Sequence, residues 1–269
     1  MHEGLLSLSD REFSLFQRLI FERAGISMGP AKRALIAGRL TKRLKALGLG
    51  SFADYHAYLT QRGNEGELQQ AVDLLTTNET YFFREPKHFD FLREQILPKA
   101  NTTRPLRIWS AACSSGEEVY TLAMVLAEHH AGAWEILGSD ISQRVLAQAR
   151  SAHYPIDRAE DIAPALLKKY CLKGIGAQQG SFLVDKPLRS KVRFESINLN
   201  EPLPRVGEFD VIFLRNVMIY FDMATKREVV ERLVAQLRPG GYFIVSHSES
   251  LNGVTEILRV VSPSIYRKP

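Results

Sequence analysis

Residues 106–118 read LRIWSAACSSGEE, and this stretch decides the fold. An apolar run typical of a strand breaks into a turn of small residues, and a second apolar run, WEILGSD, ends on Asp140. A strand, a tight loop, a helix, a second strand and then a carboxylate are typical of a nucleotide site on a doubly wound sheet. The sequence therefore predicts an α/β domain that binds its ligand at the carboxyl ends of its strands.

The loop differs from the dinucleotide-binding fingerprint. Residues 111–116 read AACSSG instead of G-x-G-x-x-G, and Glu117 and Glu118 follow at the predicted helix start. Carboxylates at a helix N-terminus suit the helix dipole, but they would repel a pyrophosphate placed there. A ligand with a ribose and a positive charge fits better. The loop therefore predicts S-adenosylmethionine, whose sulfonium is cationic.

Composition limits the class of protein. With 269 residues, 45% of them hydrophobic, the chain can bury a full core. No apolar stretch approaches the roughly 18 residues of a membrane span, and the opening MHEGLLSLSD lacks the pattern of a signal peptide. The two cysteines give neither a disulfide framework nor a metal-ligand spacing. We expect a cytoplasmic, metal-free protein.

Apolar periodicity divides the chain into a helical part and an alternating part. The first 75 or so residues predict four helices, of which the first begins with a capping box formed by Ser9 and Glu12. From residue 106 onward strands and helices alternate, which predicts a mostly parallel sheet. The predicted strands are 106–112, 135–139, 192–196, 208–214, 241–247 and 258–266. The predicted helices are about 117–130, 142–151 and 223–237, the last one stopped by the RPGG at 238–241.

One crossover is too long for its place in the sheet. About 40 residues separate the helix that ends near residue 152 from the strand that begins near residue 192. Two short strand-like runs around a glycine-rich turn predict an inserted antiparallel hairpin there. The expected fold is therefore α/β: a doubly wound, mostly parallel sheet with an N-terminal helical domain and a small inserted antiparallel β-subdomain. The expected bounds are 1–77 for the helical domain, 78–105 for a lid or linker segment with its helix, 106–269 for the ligand-binding domain and about 154–192 for the insert.

Several candidate residues have two interpretations. Asp140 could bind ribose hydroxyls or cap the next helix, and its spacing from the loop favours ribose. Glu117 could be a surface charge favoured by the helix dipole, and Asn198 could be an ordinary turn residue. Cys113 is interpreted as a packing residue rather than a nucleophile, and His247 as a hydrogen-bonded structural residue rather than a general base.

Residues 78–85 read NETYFFRE, which is unusual for a linker. The segment could be a hydrophobic hinge that docks the helical part, with Arg84 in a salt bridge. It could instead be a lid whose aromatic side chains exclude water while Arg84 holds an anionic substrate. Local sequence leaves both open.

Six motifs follow one another along the chain: NETYFFRE, WSAACSSGEE, LGSDIS, INL, FDVIFLRNVMIYF and LRPGGYFIVSHSESL. Together they resemble the chemotaxis receptor glutamate O-methyltransferases (CheR-type), over essentially the full chain. The resemblance implies methyl transfer from S-adenosylmethionine to glutamate side chains of bacterial chemoreceptors, with S-adenosylhomocysteine as product. It implies transmembrane or cytosolic methyl-accepting chemotaxis proteins as partners. It further implies a monomer that binds no nucleic acid and does not insert into the membrane.

The resemblance also assigns site residues. The implied cofactor contacts are Asn78, Thr80, Arg84, Glu117, Asp140, Asn198, Leu199, Arg215 and Asn216. Arg84 and Tyr220 are implied to lie nearest the chemistry. A glutamate acceptor has an ordinary pKa of about 4.3 and is already ionised at neutral pH, so no general base is required. We expect Arg84 and Tyr220 to position the acceptor.

Two features concern the substrate. Lys32, Arg39, Lys42 and Arg43 form a basic stripe beside the apolar face of the second predicted helix. The stripe could be a solvated face, or it could steer the acidic, helical receptor that the resemblance implies. In the insert, Gly174, Gly176 and Gly180 belong either to an ordinary hairpin turn or, as in family members with a G-x-G-x-x-x-G turn, to a subdomain whose edge binds a receptor's C-terminal pentapeptide.

Other functions remain open at this point. A dinucleotide-dependent oxidoreductase would need the glycine fingerprint that the loop lacks. A nucleic-acid methyltransferase could use the basic helix, and its binding would depend steeply on salt. A catalytically silent sensor would bind S-adenosylmethionine without transferring its methyl group.

Overall fold

The computed structural model describes residues 7–269. These fall into two compact units, one formed by residues up to Thr77 with Tyr220–Thr225, the other by Asn78–Ile219 with Lys226–Pro269. Within the described residues, no helix combines the length and the apolar character needed to cross a membrane.

The helical unit contains four helices, as the sequence predicts. They are α1 (Asp10–Ala24), α2 (Arg33–Leu47), α3 (Phe52–Leu59) and α4 (Glu65–Leu75). The predicted capping box is confirmed, because the Glu12 amide donates to the Ser9 hydroxyl at 3.3 Å and the Ser9 amide donates to the Glu12 carboxylate at 2.9 Å. The helices pack around fully buried aromatic and aliphatic side chains such as Phe16, Ile20 and Leu40.

The second unit contains ten strands and six helices among its described residues. The strands are β1 (Leu106–Ala111), β2 (Trp134–Asp140), β3 (His153–Pro155), β4 (Cys171–Lys173), β5 (Ser181–Val184), β6 (Val192–Ser196), β7 (Phe209–Leu214), β8 (Leu237–Val245), β9 (Arg259–Ser262) and β10 (Ile265–Arg267). The helices are α5 (Lys87–Phe91), α6 (Glu117–His129), α7 (Gln143–Ser151), α8 (Pro164–Tyr170), α9 (Lys186–Arg189) and α10 (Met223–Ala235), the first residues of α10 grouping with the helical unit.

The large sheet has the strand order β6-β2-β1-β7-β8-β10-β9. Its first five strands pair in parallel, and β10 is antiparallel to both of its neighbours. Strands β1 and β7 are buried almost throughout, as expected for parallel strands with helices on both faces. The predicted doubly wound, mostly parallel fold is confirmed. Because β1 lies next to β2 and β7, the loops at their carboxyl ends share one edge.

Two predicted elements are wrong. The single strand predicted at 258–266 is two antiparallel strands, β9 and β10, with Ser264 in the left-handed region at φ 59° between them. The RPGG at 238–241 does not stop α10, which ends at Ala235. It forms a bulge inside β8, where the pairing with β7 shifts register. A Cβ on Gly241 would lie 2.9 Å from the Asp210 carbonyl oxygen, so this bulge depends on glycine.

The insert folds as a three-stranded antiparallel sheet in the order β3-β5-β4. The predicted hairpin is confirmed as β4 and β5, and β3 adds a third strand that the sequence reasoning missed. Tyr154 and Phe182 from this sheet are buried against Phe82, with ring centroids 5.2 and 5.8 Å from the Phe82 ring. The insert is therefore anchored to the segment that precedes α5.

Candidate functional site

The loop between β1 and α6 is held in an unusual backbone conformation. Ala112, Ser114 and Gly116 all adopt left-handed conformations, with φ of 69°, 50° and 94°. Such conformations are costly for residues other than glycine and persist where the surroundings impose them. A Cβ on Gly116 would lie 2.9 Å from the Cβ of Ala149 and 3.1 Å from the Tyr154 hydroxyl. Only glycine lets α6 begin this close to α7.

Asp140 organises this loop. Its carboxylate is buried and accepts hydrogen bonds from the Ser114 amide and the Ser142 amide, both at 2.9 Å. The cap of α7 is Ser142, whose hydroxyl accepts from the Val145 amide. The simple capping interpretation of Asp140 is therefore wrong: the carboxylate ties the loop after β1 to the turn after β2. Its expected contact with ribose stays a prediction.

Glu117 is completely buried, so its interpretation as a surface charge is wrong. One carboxylate oxygen accepts from the Ser115 hydroxyl at 2.7 Å. The other has no hydrogen-bond partner among the described residues, and the nearest cation is Arg158, whose Nη1 lies 3.7 Å away. Burial raises the pKa of Glu117, while the Ser115 hydrogen bond and the Arg158 charge oppose that rise. A buried carboxylate oxygen without a hydrogen-bond donor suits a cationic or hydrogen-bond-donating ligand.

Arg215 joins three parts of the site. Its side chain is 2% exposed and pairs with Glu118 at 2.6 Å and with Glu85 at 3.1 Å. The same guanidinium donates to the Arg84 carbonyl oxygen at 2.6 Å. The residue after β7 therefore fixes the start of α6 and the segment 78–85 at once. The sequence reasoning proposed Arg215 but missed both of its carboxylate partners.

Glu85 lies at the centre of this network. Burial opposes its ionisation, but the Arg215 charge and hydrogen bonds from the His247 amide and the Asn216 side chain outweigh burial and hold the pKa of Glu85 below its ordinary value. Asn216 adopts φ 58°, and its amide donates to Glu249 at 3.0 Å. Two acidic residues that the sequence reasoning did not assign thus hold a predicted cofactor residue in a strained conformation.

Two histidines, His88 and His247, lie close to the Glu85 carboxylate. Burial lowers the pKa of His88 to about 3, so its ring is neutral at physiological pH. His88 and His247 both contact the Ser264 hydroxyl, at 2.7 and 3.2 Å. The structural interpretation of His247 fits this hydrogen bond. Glu85, His88 and His247 place ligating atoms within 4.8 Å of one another, but Arg215 already occupies the Glu85 carboxylate and disfavours a metal ion there.

The segment 78–85 packs against the sheet unit while carrying a half-buried arginine. Phe82 is fully buried, and Phe83 adopts φ 55°. The Arg84 guanidinium donates to the Glu79 carbonyl oxygen at 2.9 Å and lies 5.6 Å from the centre of the Tyr81 ring. Phe82 therefore anchors the segment within the sheet unit, and among the described residues Arg84 forms no salt bridge of the kind that the hinge interpretation expects. The lid interpretation stays a prediction.

The remaining predicted cofactor residues contact their neighbours mostly through backbone carbonyl oxygens. The Asn78 carbonyl oxygen accepts from the Ser114 hydroxyl at 2.8 Å, and the Thr80 carbonyl oxygen accepts from Arg158 at 2.7 Å. Asn198 and Leu199 follow β6, next to β2. The Asn198 side chain accepts from the Asn200 amide, as in an ordinary turn, and the Leu199 carbonyl oxygen accepts from Arg232.

Cys113 is not suited to nucleophilic chemistry. Its side chain is 2% exposed, and burial raises the pKa of its thiol well above the ordinary value. A thiol that stays protonated is a poor nucleophile. The packing interpretation of Cys113 fits the structure.

The basic stripe in the helical unit is only partly available to a partner. Arg43 forms two hydrogen bonds with Glu67, at 2.8 and 2.5 Å, and Glu67 also accepts from the Tyr55 hydroxyl at 2.7 Å. Arg39 donates to the Leu75 and Thr76 carbonyl oxygens at the end of α4. These two arginines hold the helices together, whereas Lys32 and Lys42 are exposed. For all four residues of the stripe, a role in steering the substrate stays a prediction.

Tyr220 groups with the helical unit. It ends a 3₁₀ turn, Met218–Tyr220, and its carbonyl oxygen accepts from the Ser27 amide at 2.8 Å. The proposed positioning role of its side chain stays a prediction.

The glycine-rich turn of the insert has a defined shape. A Cβ on Gly174 would lie 1.9 Å from the Gln178 carbonyl oxygen, and Gly176 and Gly180 adopt φ of 56° and 84°. All three glycines are therefore required by the turn itself. Beside it, β4 is an edge strand of the small sheet, and the exposed fractions of Leu172 and Ile175 are 52% and 81%.

Comparisons with known proteins agree with this geometry. Two family models match the chain: the all-alpha domain of CheR methyltransferase over residues 11–76, and the SAM binding domain of CheR methyltransferase over residues 78–266. Chemotaxis protein methyltransferase 2 of Pseudomonas aeruginosa is 42% identical over 260 residues, which cover 95% of this chain and 92% of that relative. The chemotaxis protein methyltransferases of Salmonella typhimurium and Escherichia coli K12 are each 38% identical over 265 residues, 97% of this chain and 91% and 92% of theirs. The chain belongs to the CheR methyltransferase family, and S-adenosylmethionine is its cofactor.

Proposed function

We propose that this protein transfers a methyl group from S-adenosylmethionine to glutamate side chains of bacterial chemoreceptors, forming γ-glutamyl methyl esters that adjust chemotactic adaptation. The observation that carries the proposal within the site is Glu117, a fully buried carboxylate at the start of α6, one of whose oxygens has no hydrogen-bond donor among residues 7–269. The CheR family models, which match residues 11–76 and 78–266, support the same proposal. We place the activity in the cytoplasm, where receptor signalling domains are accessible.

The polar groups at the site fit this cofactor. In our proposal Glu117 accepts from the amino group of the methionine part, and Asp140 accepts from the ribose hydroxyls. The other proposed contacts are Asn78, Thr80, Arg84, Asn198, Leu199, Arg215 and Asn216. No phosphate needs to be accommodated, which agrees with the two glutamates at the start of α6. The cofactor, when bound, supplies a methyl group on a cationic sulfur.

The proposed chemistry requires alignment rather than proton transfer. The acceptor glutamate, ionised at neutral pH, would take the methyl group by in-line displacement, with S-adenosylhomocysteine as the leaving group. The buried thiol of Cys113 and the neutral ring of His88 are then not needed. Arg84 and Tyr220 are proposed to hold the acceptor carboxylate in line.

We propose two contacts with the receptor. A receptor C-terminal pentapeptide adds to the free edge of β4, beside exposed Leu172 and Ile175 and next to the turn of Gly174, Gly176 and Gly180. Such tethering raises the effective concentration of substrate without changing the active site. The exposed Lys32 and Lys42, with Arg39 and Arg43 beside them, are proposed to steer the acidic receptor helices, and the enzyme is proposed to act as a monomer.

The test is transfer of labelled methyl groups from S-adenosylmethionine to isolated chemoreceptors. We expect wild-type protein to label the receptor, and Arg84→Ala to lose most of its turnover while unfolding at the same urea concentration as wild type. A matched control is Arg93→Ala, which removes an arginine whose side chain is 40% exposed and should retain the wild-type rate. Labelling of added RNA or DNA in place of receptor would contradict the proposal.

A further inference from the structure

Arg158 reaches the cofactor edge from the inserted subdomain. It lies in a 3₁₀ turn, Ile156–Ala159, directly after β3, and the turn is fixed to the insert because the Ile156 amide donates to the Gly180 carbonyl oxygen at 2.9 Å. Ala159 is buried in the core, so the turn is anchored at its other end as well. Nothing in the loop after β1 provides a cation at this position.

The guanidinium of Arg158 is held at a fixed point. Its Nη1 donates to the Thr80 carbonyl oxygen at 2.7 Å. The same atom lies 3.7 Å from the Glu117 carboxylate oxygen for which the described part of the chain provides no hydrogen-bond donor. The distance of 3.7 Å is too long for a hydrogen bond but short enough for a charge interaction with the completely buried Glu117 side chain. The side chain of Arg158 is 43% exposed, so it brings a charge to Glu117 while it keeps part of its own hydration.

We propose that Arg158 is a positioning residue that keeps Glu117 ionised for the cofactor's amino group while the Thr80 contact holds its guanidinium in place. The oxygen nearest Arg158 then remains free to accept a hydrogen bond from the ligand. This inference rests on the proposed contact between Glu117 and the cofactor. Because Arg158 belongs to the insert, one charge near the proposed cofactor site comes from the subdomain on which we propose that the receptor peptide docks.

Three groups oppose the effect of burial on the pKa of Glu117: the Ser115 hydroxyl, the backbone of Glu117 itself and the charge of Arg158. Burial favours the protonated acid, and the polar groups that face the carboxyl from the loop, from β3 and from the insert are Ser115, Cys113, Tyr154 and Arg158. Burial raises the pKa of the Cys113 thiol and of the Tyr154 hydroxyl, so both stay neutral. Arg158 is thus the one cation in that set.

The test is calorimetric binding of S-adenosylhomocysteine between pH 5 and pH 7.5, which reads affinity rather than turnover. We expect affinity to fall as Glu117 protonates, with a midpoint that lies about half to one pH unit higher in Arg158→Gln than in wild type. At pH values below both midpoints, with each protein normalised to its own affinity at pH 7.5, the variant should then bind about three- to tenfold more weakly than wild type. Arg158→Lys, which keeps the charge, should have a midpoint close to that of wild type. Lys168→Gln, which removes an exposed charge from α8 of the same insert, should titrate as wild type.

Two outcomes separate the inference from the function on which it rests. Glu117→Gln should bind weakly with no acid midpoint in this range, and wild-type affinity in that variant would remove Glu117 from the cofactor site. If Glu117→Gln behaves as expected but Arg158→Gln keeps the wild-type midpoint, the proposed role of Arg158 is wrong. A merely structural loss at Arg158 would lower affinity equally at every pH, and that result would also overturn the inference.

Discussion

Replacing Arg215 with methionine tests the charge network at the site. The guanidinium is 2% exposed, and its two carboxylate partners, Glu85 and Glu118, have side chains that are 16% and 13% exposed. Methionine fills a similar volume without a charge, so the variant leaves two nearly buried carboxylates without the cation that they share. Removing one partner from a buried ion pair costs about 3–5 kcal/mol, and we expect Arg215→Met to lower the free energy of unfolding by that amount.

The chain provides its own probe and control. Both tryptophans, Trp109 in β1 and Trp134 in β2, belong to the sheet unit, so urea unfolding followed by tryptophan fluorescence reports that unit. Arg93 also contacts two carboxylates, at 3.0 and 2.5 Å, but its side chain is 40% exposed. Arg93→Met should therefore cost less than about 1 kcal/mol, as exposed ion pairs do.

The loss should also depend on pH with a definite sign. Because the network holds the pKa of Glu85 below its ordinary value, the stabilisation is present above the unfolded pKa of about 4.3 and is lost as pH falls through the folded pKa. The difference between wild type and Arg215→Met should thus shrink as pH falls through the folded pKa of Glu85. A loss no larger than that of Arg93→Met at pH 7, or one that does not shrink at any acid pH at which the wild type still folds, would refute the reasoning.

Three further predictions concern other parts of the chain. Asp210→Asn should lower the free energy of unfolding of the sheet unit by about 1–3 kcal/mol at pH 7 and leave cofactor affinity unchanged. Hydrogen bonds from Arg104 and Arg238 hold the pKa of Asp210 below its ordinary value despite burial, so the loss should fade in acid as the wild-type carboxylate protonates. Tyr55→Phe should cost the helical unit about 1–3 kcal/mol in urea unfolding followed by circular dichroism, because it removes the 2.7 Å hydrogen bond to Glu67. Gly174→Ala should weaken binding of a receptor C-terminal peptide in calorimetry at least tenfold, since its Cβ would lie 1.9 Å from a carbonyl oxygen of the same turn, whereas Gly38→Ala, with open space around its Cβ, should bind as wild type.

Features that depend on neighbouring residues could be predicted from the sequence. The capping box of Ser9 and Glu12 lies within one turn of helix, and the strand–loop–helix pattern at 106–118 is equally local. The parallel sheet follows from the alternation of strands and helices along the chain. Even the inserted hairpin could be placed, because its crossover was too long.

Features that depend on contacts between residues far apart in the sequence could not be predicted from it. The pairing of Arg215 with Glu85 joins two segments that are far apart in sequence, and neither segment alone signals it. The approach of Arg158 to Glu117 depends on how the insert folds back, which no local pattern encodes. Proline and glycine at 238–241 are typical both of a helix stop and of a bulge, and only the register with β7 distinguishes the two.

The most direct test of the central claim is the identity of the methylated atom. Receptor incubated with S-adenosylmethionine and this protein should be digested and analysed by mass spectrometry, before and after mild alkali. We expect the mass of one methyl group on peptides that contain glutamate, lost in alkali as methanol because the product is an ester. The Glu117→Gln variant should add little at the same cofactor concentration. Methyl groups that resist alkali, or that lie on lysine, arginine or a nucleobase, would contradict a carboxylate acceptor.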